Sequence, residues 1–385
     1  MKNKINNITK IGMLLGLIAI AALCMVPPVH AGTSKSPHHG GSGGDSGGGL
    51  FYATVTNVTQ LIADINYANK FGGTFTINLQ PNTTFDLLTW TSYDGVGANL
   101  LPIIVGATNA VNLTIIGNGD TIQRDATNGN SYEVRLFEVA KGSSLTLDQM
   151  TLQNGYSDAF NGGAIYNFGT LSISNCTLSG NTAHYSGYIS SLLGGKGGAI
   201  YNNAGTVIIS DSFLSGNFAT GDFAYGGAIY NDSGTVMISH STISGNSAGG
   251  GVGGDASLAE GGGIYNNGTV TVENYSSISG NGAADFGQDV YNLGPLYLDG
   301  TSTIGVLDGY SAIPIPPSLT LRQTTSSTVA VSWPSLPTGF VLQQNTNGLG
   351  SVNWSNVTDS ILDHGTNKVI TQPTGTNRFF RLALH

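Results

Sequence analysis

Apolar and polar residues alternate with a period of two along much of the chain beyond residue 70. Phe75-Thr76-Ile77-Asn78-Leu79, Ser144-Leu145-Thr146-Leu147, Thr170-Leu171-Ser172-Ile173-Ser174 and Thr206-Val207-Ile208-Ile209-Ser210 each read as a short strand, because neighbouring side chains in a strand face opposite ways. One segment departs from this. Asn57-Val58-Thr59-Gln60 has the form of a capping box with Asn57 as N-cap, and Leu61, Ile62, Ile65 and Ala68 follow at helical spacing before Gly72-Gly73. A single amphipathic helix ahead of many strands suits the task of covering the open end of a strand stack.

The strands are organised by an internal repeat. Gly162-Gly163-Ala164-Ile165-Tyr166-Asn167 returns at Gly197–Asn202 and Gly226–Asn231. It returns again at Gly261–Asn266, with Gly in place of Ala, and in altered form at Gly287–Asn292. A Ser-Gly-Asn triplet begins 17 or 18 residues after the start of each of the first four copies, at Ser179, Ser215, Ser244 and Ser279. The alternating runs between these marks predict three short strands per repeat, joined by tight polar turns. The shared core of each repeat spans 22 or 23 residues. Strands that short cannot satisfy their own hydrogen bonds or bury an apolar face alone. Stacking successive repeats about 4.8 Å apart answers both needs. The predicted fold is therefore all-β, a parallel β-helix of seven to nine coils with an N-terminal capping helix.

In such a stack aligned residues meet. Leu171, Val207, Val236 and Val270 form one apolar ladder, and Leu178, Leu214, Ile243 and Ile278 another. Asn167, Asn202, Asn231, Asn266 and Asn292 form an amide ladder at a turn. Parity alone leaves open whether Ile165 or its neighbour Tyr166 points inward. The arrangement with Ile inside is favoured, and it places Tyr166, Tyr201, Tyr230, Tyr265 and Tyr291 in a row along an outer face.

The Gly-Gly-Ala-Ile motif followed by strands ending in Ser-Gly-Asn resembles the right-handed β-helix repeats of bacterial secreted proteins in the pectin-lyase-like superfamily. It is similar in particular to the repeats of chlamydial polymorphic outer-membrane proteins and related passenger domains. The resemblance covers residues 51 to 308, and it implies right-handed coiling. It says little of activity, since this architecture carries lyases, hydrolases, adhesins and inert stalks.

Beyond a Pro-rich linker over 311–317, strands such as Thr328–Trp333, Phe340–Gln344 and Arg378–Leu382 predict a small β-sandwich over 318–385. Its Ser-Trp-Pro, Gly-Phe-x-Leu-Gln-Gln and Asn-Arg-Phe-Phe-Arg-Leu elements resemble C-terminal modules of secreted proteins from Verrucomicrobia-type bacteria. Trp333 and Trp354 are expected to be core residues there. At the other end, basic residues to Lys10, an apolar run from Ile11 to Val26 and Val29-His30-Ala31 predict a signal peptide over 1–31, cleaved after Ala31. Residues 32–50 are almost wholly Gly, Ser, His and Pro and read as a flexible linker, followed by the β-helix over 51–310. The mature chain is thus expected to be exported, extracellular or on the cell surface, without a transmembrane span, and monomeric.

Composition narrows the function. Only 9% of residues are charged and 57 are glycine. From Phe51 to Tyr310 there are 19 acidic and 5 basic residues, a net of −14, which would repel a phosphate backbone; no nucleic-acid partner is expected. Cys176 stands where other copies carry Ser212, Ser241 and Ser276, and reads as a packing residue. The β-helix region holds only Arg124 and Arg135 as arginines, with no Asp-Asp pair and no Gly-His-Gly, so neither a lyase nor a polygalacturonase pattern is present. His240 falls at a variable turn, aligned with Asn175, Asp211 and Tyr275. His38-His39 and the glycine loop Gly250–Asp255 are weak metal motifs; no metal, cofactor or catalytic residue is assigned.

The gaps between repeat cores run 13, 6, 12 and 3 residues. They leave the stack at the same turn, so the inserts are expected to form a rim on one side. That rim carries Tyr185, Tyr188, Asp222, Tyr225, Asp255 and Glu260. With the tyrosine row it gives the candidate binding residues for an extracellular polysaccharide or cell-surface ligand. The leading expectation is a non-catalytic, adhesin-like protein; the alternatives are a polysaccharide lyase or glycoside hydrolase, or an inert stalk displaying the C-terminal module.

Overall fold

The computed structural model describes residues 54–93, 98–106, 110–125, 134–158, 161–185, 194–249, 258–325, 328–335, 339–345, 354–358, 360–364, 367–373 and 379–384. The expected signal peptide and linker, Tyr188 and Asp255, and both weak metal motifs lie outside them.

The chain is a parallel β-helix followed by antiparallel sheets. One long sheet passes from Gly73–Asn78 through Val111–Arg124, Ser144–Gln153, Thr170–Ser174, Thr206–Ser210, Thr235–Ser239 and Thr269–Glu273 to Leu296–Leu298 and Ile313–Pro314. A second sheet stacks Phe137–Val139, Ile165–Asn167, Ile200–Asn203, Ile229–Asp232, Ile264–Asn266, Val290–Asn292 and Leu307–Gly309. A third stacks Tyr156–Ser157, Thr182–His184, Phe218–Thr220, Ser247–Ala248 and Gly282–Ala283. Each full coil therefore carries four strands, one more than the alternation predicted. The long sheet takes two per coil, bent at residues of positive φ such as Asn175, Asp211 and His240. His240 is exposed there, as its variable turn position suggested.

Register follows the repeat. Leu171 pairs with Val207, Val207 with Val236 and Val236 with Val270. Leu178, Leu214, Ile243 and Ile278 do the same in the second run. All eight are fully buried in one continuous core, together with Leu61, Ile65 and Ala68 of the helix α1 (Val58–Phe71). The helix thus closes the end of the stack. Its cap is a variant of the expected box: Asn57 Oδ1 accepts from the Gln60 N–H, while Gln60 Oε1 accepts from the N–H of Thr56, one residue earlier than the reciprocal pattern.

The two glycines of the motif do different work. The first lies at positive φ, from 60° at Gly162 to 68° at Gly261. The second lacks room for a side chain: a Cβ on Gly198 would stand 2.2 Å from the Gly227 carbonyl oxygen of the next coil.

Two asparagine ladders run through the interior of the turns. Asn167 donates to Asn202, Asn202 to Asn231 and Asn231 to Asn266 at 2.8 Å, and Asn266 to Asn292 at 2.7 Å. The second ladder, Asn181, Asn217, Asn246 and Asn281, comes from the Ser-Gly-Asn triplets. It ends on Asp289, whose Oδ1 accepts from Asn281 and whose Oδ2 accepts from the Val306 N–H. An amide both donates and accepts, so a buried column of them satisfies itself; a carboxylate only accepts and suits the terminus. Cys176 sits in the adjacent serine column, its N–H donating to Ser212 Oγ, and burial pushes its thiol up to about 11. That environment suits packing and not a thiolate nucleophile.

Ile313–Pro314, within the segment expected to be linker, pairs with Tyr297–Leu298 as the last rung. The following Ile315 N–H donates to the Leu298 carbonyl, so the missing proline N–H is not needed at this edge. Beyond it, Thr320–Thr325, Thr328–Pro334, Asn367–Pro373 and Leu362–Asp363 form one antiparallel sheet and Ser355–Asn356, Phe340–Asn345 and Phe379–Leu384 another. Val331, Trp333 and Ile370 of the first share a core with Leu342 of the second and with Val357, which follows its Ser355–Asn356 strand. Trp333 is buried as expected, whereas Trp354 is half-exposed under the guanidinium of Arg381, 4.4 Å from its ring. Among the described residues no helix is long and apolar enough to cross a membrane.

Candidate aromatic binding face

Ile165, Ile200, Ile229, Ile264 and Val290 are fully buried in the coil core, so strand alternation turns the adjacent tyrosines outward. They stack in register, Tyr166 on Tyr201, Tyr201 on Tyr230, Tyr230 on Tyr265 and Tyr265 on Tyr291. Ring centroids are 5.0, 5.1, 4.8 and 5.5 Å apart, close to the spacing of the coils themselves. The column is flanked by acids at both ends. Glu138 pairs with Tyr166 at one, and Asp308 with Tyr291 at the other.

Outward does not mean open along the whole row. Tyr166, Tyr201 and Tyr230 keep only 4, 5 and 8% of their surface, which corrects the expectation of an exposed row; Tyr265 and Tyr291 remain half-exposed. The three buried rings form a second apolar cluster outside the coil core, with Phe168, Tyr225 and Tyr265 packed on it. Polar neighbours complete the cover. Tyr201 donates to Asp232 at 2.9 Å and Asn203 donates to the Tyr166 hydroxyl at 3.3 Å. The Arg135 guanidinium lies 4.7 Å from the Tyr166 ring and the Lys196 ammonium 5.2 Å from that of Tyr230. Burial holds the phenols of Tyr201, Tyr230 and Tyr265 well above the usual tyrosine value, and the neighbouring carboxylates push the same way.

The inserts add a parallel column. Phe223–Tyr225 pairs with Leu258–Glu260, and single bridges join Asn161 to Lys196, Lys196 to Tyr225 and Glu260 to Phe286. The residue just before the first glycine of each copy therefore stacks beside the tyrosine row. Two rim residues named from sequence, Tyr225 and Glu260, belong to this column. Tyr225 lies 5.0 Å from Tyr265 and 6.2 Å from Tyr230. Glu260 is buried and accepts from the Tyr291 hydroxyl; burial, aided by Asp285, nonetheless raises its carboxyl above the usual range. Tyr185 and Asp222 are half-buried within the inserts, where the Asp222 carbonyl accepts from the Leu258 N–H.

Sequence reasoning missed Arg135, Phe168, Lys196, Asp232, Asp285, Phe286 and Asp308. Part of the signal was in plain view. Lys196 and Phe286 directly precede Gly197 and Gly287, and Asp232 follows Tyr230 by two positions, so all three lie in columns the repeat defines. Chemically, the C-terminal half of the face offers Tyr225, Tyr265, Tyr291 and Phe286, the last 51% exposed, beside Glu260, Asp285 and Asp308. Among the described residues no group of three His, Cys, Asp or Glu side chains is placed to hold a metal ion. No family model, curated protein or solved structure matches the chain.

Proposed function

We propose that this is an exported, non-catalytic β-helix that binds an extracellular polysaccharide or surface along the open half of its tyrosine row. The observation that carries this reading is the row itself: aromatic rings recur once per coil at 4.8 to 5.5 Å over the last two steps and come into solvent beside carboxylates. A pyranose has an apolar face that stacks on such rings and hydroxyls that hydrogen bond to carboxylates, and aromatic side chains suit a contact that is apolar on one side and wet on the other. The likeness of the repeats to those of secreted passenger domains in the pectin-lyase-like superfamily supports the same assignment. The signal-like N-terminus supports export.

A glycoside hydrolase or lyase is the second reading. It is favoured by Glu260, whose carboxyl is raised beside a second acid, Asp285, as a general acid requires. A glycan array decides between them. The full chain is expected to give a signal that falls with Tyr265→Ala and Tyr291→Ala, without release of reducing ends. A blank array with the unaltered chain overturns the binding reading, and cleavage of the bound glycan replaces it with the second.

A further inference from the structure

The open half of the row combines aromatic faces with carboxylates that have no cation of their own. Between Lys196 and Arg322 the chain contains ten Asp or Glu residues and no Lys or Arg. Over those coils Tyr225 and Tyr265 lie 5.0 Å apart, Tyr265 and Tyr291 5.5 Å, and Phe286 and Tyr291 6.3 Å. Glu260, Asp285 and Asp308 border these rings. Asp285 uses one oxygen for the Ala259 N–H at 2.7 Å and Asp308 one for the Gly287 N–H at 2.6 Å, so each has a second oxygen outside those bonds.

The buried half shows how such rings are satisfied. There the chain sets its own cations on them, Arg135 on Tyr166 and Lys196 on Tyr230. The stack places Lys196 in the column that continues as Tyr225, Glu260 and Phe286, and those later coils have no cation to supply. A ring quadrupole and a carboxylate both attract an ammonium group, and the unneutralised charge of this region repels a polyanion.

We infer that the ligand of the open half is an amino-sugar polymer with free amines, its ammonium groups held over Tyr265, Tyr291 and Phe286 and paired with Asp285 and Asp308. This rests on the polysaccharide-binding reading above and adds the charge class of the ligand. The occupant takes, in the C-terminal coils, the place that Arg135 and Lys196 take in the earlier ones.

Calorimetric titration of the full chain at mildly acidic pH tests it, with short oligomers of β-linked glucosamine, of N-acetylglucosamine and of galacturonic acid as probes. The glucosamine oligomer is expected to bind about tenfold or more tightly than its N-acetyl counterpart, the galacturonate oligomer not at all. Raising salt to about 0.5 M should weaken the glucosamine complex, because the paired charges are near the surface. Phe286→Ala and Asp285→Asn, both at exposed positions, should each weaken it roughly three- to tenfold, with the circular dichroism of the folded chain unchanged. Equal affinity for the free and acetylated amines overturns the ammonium inference while leaving polysaccharide binding standing. So does preference for galacturonate, or a glycan-array signal confined to neutral sugars. Absence of any binding, to these probes and to the array alike, removes both.

Discussion

Tyr201 and Tyr265 occupy the same position of the same repeat, on strands that point them the same way, yet one is buried and the other half-open. Their difference comes from the columns beside them. Around Tyr201 the next positions hold Asp232 as a hydrogen-bond acceptor, and the neighbouring rings Tyr166 and Tyr230 lie under Arg135 and Lys196. Around Tyr265 they hold Tyr225, the exposed Asn267 and, one coil on, the exposed Leu293. Stacking dictates which way a side chain faces; the flanking columns decide whether water reaches it. One half of the row has become a second core, and the other has kept a surface.

The largest effect that would break this contrast is on stability. Tyr230→Ala empties a buried aromatic site and is expected to cost about 3 kcal/mol or more, whereas Tyr291→Ala, half-open, should cost about 1 kcal/mol. Denaturant unfolding monitored by circular dichroism measures both. Equal losses would mean that the two halves are packed alike.

A smaller effect appears in alkali. The phenols of Tyr201, Tyr230 and Tyr265 have folded values above the ordinary one, so the folded state keeps protons that the unfolded chain releases. Their contribution is fully present below about pH 10 and is lost as pH rises beyond it. Phenolate absorbance from these three should therefore appear late and together with unfolding. Ionisation of all tyrosines in one early step, in a still-folded chain, would contradict the burial.

The smallest effect belongs to the open half in mild acid. Glu260 is raised, so its contribution is greatest when it is protonated and declines as pH rises through its folded value. Asp299, held low by hydrogen bonds from Asn274, Thr301 and Ser302 that outweigh its burial, opposes this: its contribution is lost as pH falls. Glu260→Gln should flatten the acid side of a melting-temperature profile and raise stability at neutral pH by less than about 1 kcal/mol. An unchanged profile would show that water reaches Glu260 freely.

Much of the stack was legible without coordinates. The paired ladders of Leu171 and Leu178, the amide column from Asn167, the capping helix and the antiparallel C-terminal region all followed from periodicity and aligned repeats. Each is a consequence of one coil repeating the last, so identical residues must meet. Less visible were features in which a coil differs from its neighbours. The fourth strand of each coil was not foreseen, because pieces as short as Thr177–Ser179 and Thr182–His184 cannot show an alternation of their own. Pro314 reads as a linker residue and ends as a rung, because the edge position asks nothing of its nitrogen. The cover over Tyr166 escaped notice because Arg135 stands apart from the repeat and meets the ring only through folding.

The amino-acid order by itself determined that this chain would wind into stacked coils, in which isoleucines meet isoleucines and tyrosines meet tyrosines on opposite faces of a strand. That much needs only the two-residue period of a strand and the recurrence of a motif. Folding in three dimensions decided which tyrosines meet solvent. Exposure depends on residues of other columns and on inserts of unequal length, and contacts at such separations leave no period in the sequence.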